Sequence, residues 1–269
     1  MNALSGVDVG TAVEALIQPR LIACVAGHYP DGSSHSLALD DARAVIRSTR
    51  TRACVFRAPS PDVVLGELDI DPQHLLDAFD EPTLVVPLLN TTGATSAVSA
   101  ETLIRQGLKS LDAIAAGSFV FAPIVKLEIL MENLTVDDEA TIACLSLLSS
   151  QLRARTIPLI SPSVRVASTV ASLGCPALRI VSGRLRQQTG IMQANAIRAA
   201  IHAAAGRPVI LEGGLSASAD VRLAADLGAS AVLVNSAFKF TRDPIEKALE
   251  LRRAADVATW SDGWGSRSV

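Results

Sequence analysis

Pro208-Val209-Ile210-Leu211-Glu212-Gly213-Gly214-Leu215-Ser216 carries a strand over into a helix. A short apolar run, residues 208–212, ends in an acid, and two glycines turn the chain into residues 217–227, which are Ala-rich and of helical period. Gly228 follows as a helix C-cap, and a second apolar run at residues 231–234 comes directly after it. Strand, helix and strand in that order make the helical crossover that parallel strands require.

Outward from this unit the same alternation recurs. Further apolar runs rich in β-branched residues lie at 21–26, 53–57, 83–89, 124–129, 157–160 and 177–181, which brings the count of candidate strands to eight. Between them, 140–152 and 195–204 read as helices, with Cys144 on a core stripe, and Asp243-Pro244 opens a last helix with a cap and an N1 proline. Eight unbroken alternations predict a closed (β/α)8 TIM barrel rather than a doubly wound sheet. One domain over 1–269 is expected, with flexible termini at about 1–16 and 258–269, and 27–36 reads as a long loop.

Composition agrees with that architecture. The chain has 269 residues, 49% hydrophobic and only 3% aromatic, so its core must be Ala, Val, Leu and Ile, the filling of parallel sheets buried on both faces. A net charge of −3 supplies no basic field for nucleic acid. No apolar run approaches the roughly 20 residues of a membrane span, and the first residues lack a signal-peptide pattern. Cys24, Cys54, Cys144 and Cys175 form no C-x-x-C pair and read as reduced core residues of a cytoplasmic protein, a catalytic thiol being the sharper alternative. His28 and His35 fall in the 27–36 loop and His74 and His202 in helices, without metal-ligand spacing, so neither metal nor cofactor is expected.

Chemistry in such a barrel sits where strands end at the C-terminal face. Lys126, in Val125-Lys126-Leu127-Glu128, lies inside an apolar strand, where an ammonium is costly unless paired. Alternation sets Lys126 and Glu128 on one face and Val125, Leu127 and Ile129 on the other. If that face is the interior, desolvation is expected to lower the lysine pKa and free its lone pair for carbonyl attack, with Glu128 or Glu212 moving protons. The same residues also fit a buried Lys–Glu pair without chemistry. Gly213 and Gly214 allow backbone amides to approach an anion at a helix start, and Asn235-Ser236 after strand eight offers donors at the usual phosphate site of this fold. Ser182-Gly183-Arg184-Leu185-Arg186-Gln187-Gln188-Thr189-Gly190 follows strand six, and its Ser182, Gly183, Arg184, Arg186 and Gly190 suit a phosphate or sugar hydroxyls. Plain turns and caps would look alike.

From about residue 83 onward the chain resembles thiazole synthase, the barrel enzyme of bacterial thiamine biosynthesis. The carrying segments are Leu88-Leu89-Asn90-Thr91-Thr92-Gly93, 125–128, 208–215, 227–237 and Asp243-Pro244. The resemblance implies that Lys126 forms an imine with a sugar phosphate ketone, that Glu128 is its neighbouring acid, and that Glu212 replaces an aspartate on strand seven. Gly213-Gly214 and Asn235-Ser236 take the positions of substrate-binding pairs. It also implies a partner, a small ubiquitin-like carrier protein with a C-terminal thiocarboxylate that delivers sulfur, and a homo-oligomer.

Arg184 and Arg186 stand where that family has proline and glycine in the loop after strand six. This chain is therefore similar to a divergent branch that makes 2-thiosugars in antibiotic biosynthesis. The leading expectation is a Schiff-base sulfur transfer synthase acting on glucose 6-phosphate. A thiazole synthase using deoxyxylulose phosphate, a sulfur-independent aldolase or isomerase, and a non-catalytic scaffold are the alternatives.

Overall fold

In the computed structural model, residues 8–25, 37–57, 76–91, 93–114 and 119–261 are described. The expected loop at 27–36 with His28 and His35, His74, and the terminal residues 1–7 and 262–269 lie outside them. Eight parallel strands, β1 (Leu21–Ala23), β2 (Ala53–Arg57), β3 (Val86–Asn90), β4 (Ile124–Leu127), β5 (Thr156–Ile160), β6 (Leu178–Val181), β7 (Val209–Glu212) and β8 (Ala231–Val234), pair in the order β1-β8-β7-β6-β5-β4-β3-β2. The fold is a single (β/α)8 TIM barrel. At the β1–β2 seam the amide of Ala23 donates to Thr51 Oγ1 at 3.2 Å.

Two apolar layers follow from the period of two along each strand. Outward residues such as Val125, Leu127, Ile180, Leu211 and Val232 pack under the surrounding helices. Inward residues, among them Ile22, Val55, Leu88, Ile124, Ile157, Ala177, Ile210 and Leu233, fill the barrel interior. The floor is closed by the helix Val9–Ile17, which inserts Ala12, Val13, Leu16 and Ile17 into that inner layer. An expected flexible terminus through residue 16 is thus corrected, since Asp8 caps this helix through the Gly10 amide and its apolar stripe is buried.

Other boundaries moved for local reasons. The helix expected over 140–152 is two, Asp138–Leu147 and Ser150–Arg153, because Ser149 accepts from the Leu152 amide and starts a new turn. Strand three begins at Val86, later than the expected 83, since Pro82 favours a 3-10 turn over Pro82–Leu84. Gly228 has φ +94 and caps the preceding helix as expected. Asp243 caps Pro244–Val257 by accepting from the Ile245 and Glu246 amides. Among the described residues no helix is long and apolar enough to cross a membrane.

Candidate active site

The inward positions change character from floor to mouth. Below lie Ala, Val, Leu and Ile; at the C-terminal ends of the strands the inward residues are Asn90, Lys126, Arg179 and Glu212, with Glu128 just past β4. Of these, Asn90, Lys126, Glu128 and Glu212 border a cavity at the barrel mouth that is open to solvent. Lys126, Glu128, Glu212, Gly213, Gly214, Asn235, Ser236 and Arg186 line it, together with Cys24, Asn90 and several leucines.

Lys126 is 2% exposed. Its Nζ lies 2.8 Å from Glu212 Oε1 and 3.5 Å from Glu128 Oε2. The expected downward pKa shift is corrected here. Burial does pull the ammonium down, yet the carboxylates of Glu212 and then Glu128 outweigh it; Arg179 opposes them, and the net direction is upward. Burial likewise pushes the Glu212 carboxyl up, but Lys126 and Arg179 together hold it below the usual carboxylate range. The resting site is therefore an ion cluster, and Lys126 must hand a proton to a neighbour before its lone pair can attack a carbonyl.

Arg179 is the member that sequence reasoning missed. It is fully buried on β6 and donates through Nη1 to Glu212 Oε2, through Nη2 to Leu127 O at 2.6 Å, and through Nε to Ile157 O at 3.1 Å. The rule that singled out Lys126, a cation at an inward position of an apolar strand, applies to it equally. Pro158 explains part of its role: a proline in an interior strand brings no N–H, and β5–β6 register begins only beyond it, at Leu159. Arg179 spans this gap with its side chain.

The loops after β6 and β7 form one compact wall. Ser182 Oγ donates to Gly213 O at 2.7 Å, and the Gly190 amide donates to Gly214 O at 3.0 Å. A Cβ on Gly183 would overlap the Gly190 carbonyl and sit 2.8 Å from Thr189 Oγ1. Gly213 and Gly214 have φ +88 and +79, where side-chain residues are strained. Ser182, Gly183 and Gly190, expected to meet ligand, thus build the wall and do not line the cavity. Arg184 is exposed and outside it, whereas Arg186 lines it from a left-handed backbone, φ +60. The amides of Ser216 and Ala217 are taken by Asp220 Oδ2 at 2.9 Å each.

After β8, Ser236 is buried and Asn235 Oδ1 is buried without a hydrogen-bond partner, as is Asn90 Oδ1. Two such acceptors beside one cavity are what ligand hydroxyls would satisfy. The thiols of Cys54, Cys144 and Cys175 are pushed up to about 12, chiefly by burial, which keeps them protonated and inert. Cys24 differs in lining the cavity. Among the described residues no cluster could hold a metal ion.

The family described as thiazole biosynthesis protein ThiG matches residues 66–262, well over half of the chain. A thiazole synthase of Anoxybacillus flavithermus is 27% identical over 233 residues, covering 86% of this chain and 82% of that protein. One from Exiguobacterium sibiricum is 27% identical over 234 residues, with the same shares. Among solved structures, a chain of the Amycolatopsis orientalis BexX/CysO complex superimposes with a TM-score of 0.70 at 24% identity, over 89% of both chains. That likeness is one of fold.

Proposed function

The chain belongs to the thiazole synthase family, and on that premise we propose that Lys126 forms an imine with the open-chain carbonyl of a sugar phosphate, glucose 6-phosphate being the favoured substrate. The observation that carries this reading is a buried lysine between two carboxylates at a cavity in the barrel mouth. One carboxylate accepts the lysine proton, the amine adds to the carbonyl carbon, and water leaves. With the carbonyl shifted to the second carbon of the hexose, the imine activates that carbon toward sulfur. Sulfur arrives as the thiocarboxylate of a small carrier protein docked at the mouth, and the product is a 2-thiosugar phosphate. The barrel of like fold solved as a BexX/CysO complex is in keeping with a protein partner.

Arg186 favours the hexose. A guanidinium at the cavity surface can take a phosphate or several hydroxyls, where the family's loop has small residues. Gly213, Gly214, Asn235 and Ser236 supply the remaining polar contacts, with Asn90 and Asn235 accepting from sugar hydroxyls. The second reading, a thiazole synthase taking deoxyxylulose phosphate, is favoured by the named relatives.

Borohydride trapping with glucose 6-phosphate and deoxyxylulose phosphate in competition, read by peptide mass spectrometry, separates the two. A hexose adduct on Lys126, absent in Lys126→Met, supports the proposal. Trapping of deoxyxylulose phosphate alone supports the second reading, and no adduct with either sugar ends both. The chain has four lysines, Lys109, Lys126, Lys239 and Lys247, so assignment of the adduct is simple.

A further inference from the structure

Among the described residues four charged side chains are buried, Lys126, Glu128, Arg179 and Glu212. Only Arg179 has no part in the imine chemistry above, and it does not line the cavity. Its three donors reach three other strands: Leu127 O on β4, Ile157 O on β5 and Glu212 Oε2 on β7. Resting on the imine reading, we propose that Arg179 is a positioning residue that divides the work of the two glutamates. It locks Glu212 as a fixed anion facing the Lys126 nitrogen and leaves proton transfer to Glu128.

The geometry separates the two carboxylates. Both oxygens of Glu212 are engaged, Oε1 by Lys126 at 2.8 Å and Oε2 by Arg179. Arg179 is itself held by two backbone carbonyls, so Glu212 cannot swing toward substrate without unpairing a fully buried guanidinium. Protonating Glu212 would likewise leave that cation without its charge partner. Glu128 contacts Lys126 at the longer 3.5 Å and, like Glu212, lines the cavity, but Arg179 does not hold it.

The steps balance with Glu128 as sole relay. Glu128 takes one proton from the Lys126 ammonium, and the neutral amine adds to the carbonyl carbon as the C=O π pair moves to oxygen. Glu128 returns that proton to the oxygen, takes a second from nitrogen and delivers it to the hydroxyl. Water departs with the C–O pair while the nitrogen lone pair closes the iminium. Glu128 ends as it began, and the nitrogen opposite Glu212 is positive at the start and at the end, losing its charge only while its proton is in transit. A counter-charge that is fixed beforehand serves such a step best, since nothing has to reorganise as the bonds change.

The test uses the full-length protein with formaldehyde as carbonyl probe and cyanoborohydride as reductant, following methylation of Lys126 against pH. Arg179→Met gives Lys126 sole use of Glu212, so labelling on the rising limb is expected to slow about tenfold at a given pH. Arg179→Lys, which keeps the cation, restores most of the rate. Arg179→Gln keeps donors for the carbonyls without the charge; it is expected to show the same slowing and replaces Arg179→Met if that variant does not fold. A merely structural role would lower the melting temperature and leave the pH curve where it was, and an unshifted curve in the charge-free variants overturns the clamp.

With glucose 6-phosphate, Glu128→Gln is expected to slow adduct formation about 100-fold or more. Trapping at the wild-type rate in Glu128→Gln overturns the division of work. If Lys126 reacts with formaldehyde but with no sugar phosphate, the proposed substrate fails while the Arg179 result stands by itself.

Discussion

Replacing Glu212 by Gln should reveal how far the ion cluster stabilises the barrel. The carboxylate bonds Lys126 at 2.8 Å and Arg179 through its other oxygen; after substitution both buried cations share only Glu128, which is 3.5 Å from Lys126. At an effective dielectric near 20, the 2.8 Å contact of Glu212 with Lys126 is worth about 6 kcal/mol before desolvation is counted. The loss is capped, because Lys126 can shed its proton instead, and for an ordinary lysine at neutral pH that costs about 5 kcal/mol. Breaking a buried pair commonly costs about 3–5 kcal/mol, and the same range is expected here. For a chain of this size that is a fall in melting temperature of roughly 6–20 °C.

The pH dependence has a definite sign. Glu212 has a folded pKa below its unfolded one, so its contribution is present above the unfolded value and lost as pH falls through the folded one. Lys126, raised on folding, contributes below its unfolded pKa and loses that contribution as pH rises through the folded value. Urea melts of both proteins should therefore show a constant gap through the neutral range that narrows in acid. A gap under about 1 kcal/mol at neutral pH, or one that does not narrow on acidification, would refute the reasoning.

Two further substitutions probe the cavity wall. Gly183→Ala must push a methyl into the Gly190 carbonyl and against Gly214, so denaturant melts should show a loss of about 1–3 kcal/mol, with KM for the sugar phosphate raised; a neutral substitution would mean the two loops are not packed as described. Arg186→Ala should raise KM for glucose 6-phosphate about tenfold or more while Arg184→Ala leaves it within about twofold, and equal effects would remove Arg186 from substrate recognition.

Much of the candidate site was legible in the chain because its signals are local. Lys126 and Glu128 share a face by strand alternation, and the cavity contains both. The double glycine after β7 and Asn235-Ser236 after β8, which the turn chemistry of strand ends singles out, border the same cavity. Arg179 was missed although it obeys the same rule as Lys126, since 177–181 was read only as an apolar run. Ser182, Gly183 and Gly190 show the opposite case, since a polar, glycine-rich loop looks alike in sequence whether its backbone meets a phosphate or another loop. Only the position of the β7 turn against the β6 turn shows which it meets.

The charge state of Lys126 was beyond the chain's local pattern. Its main partner, Glu212, lies 86 residues away, and the cation opposing that partner is on a third strand. Burial alone would have lowered the lysine; which way the balance falls depends on atoms that meet only when β4, β6 and β7 enclose one interior. The order of strands and helices, the inward faces and the lysine itself follow from periodicity and spacing, which act over a few neighbours along the chain. Closure of the barrel decided the rest, because Coulomb energy and burial depend on distances through space that no local repeat encodes.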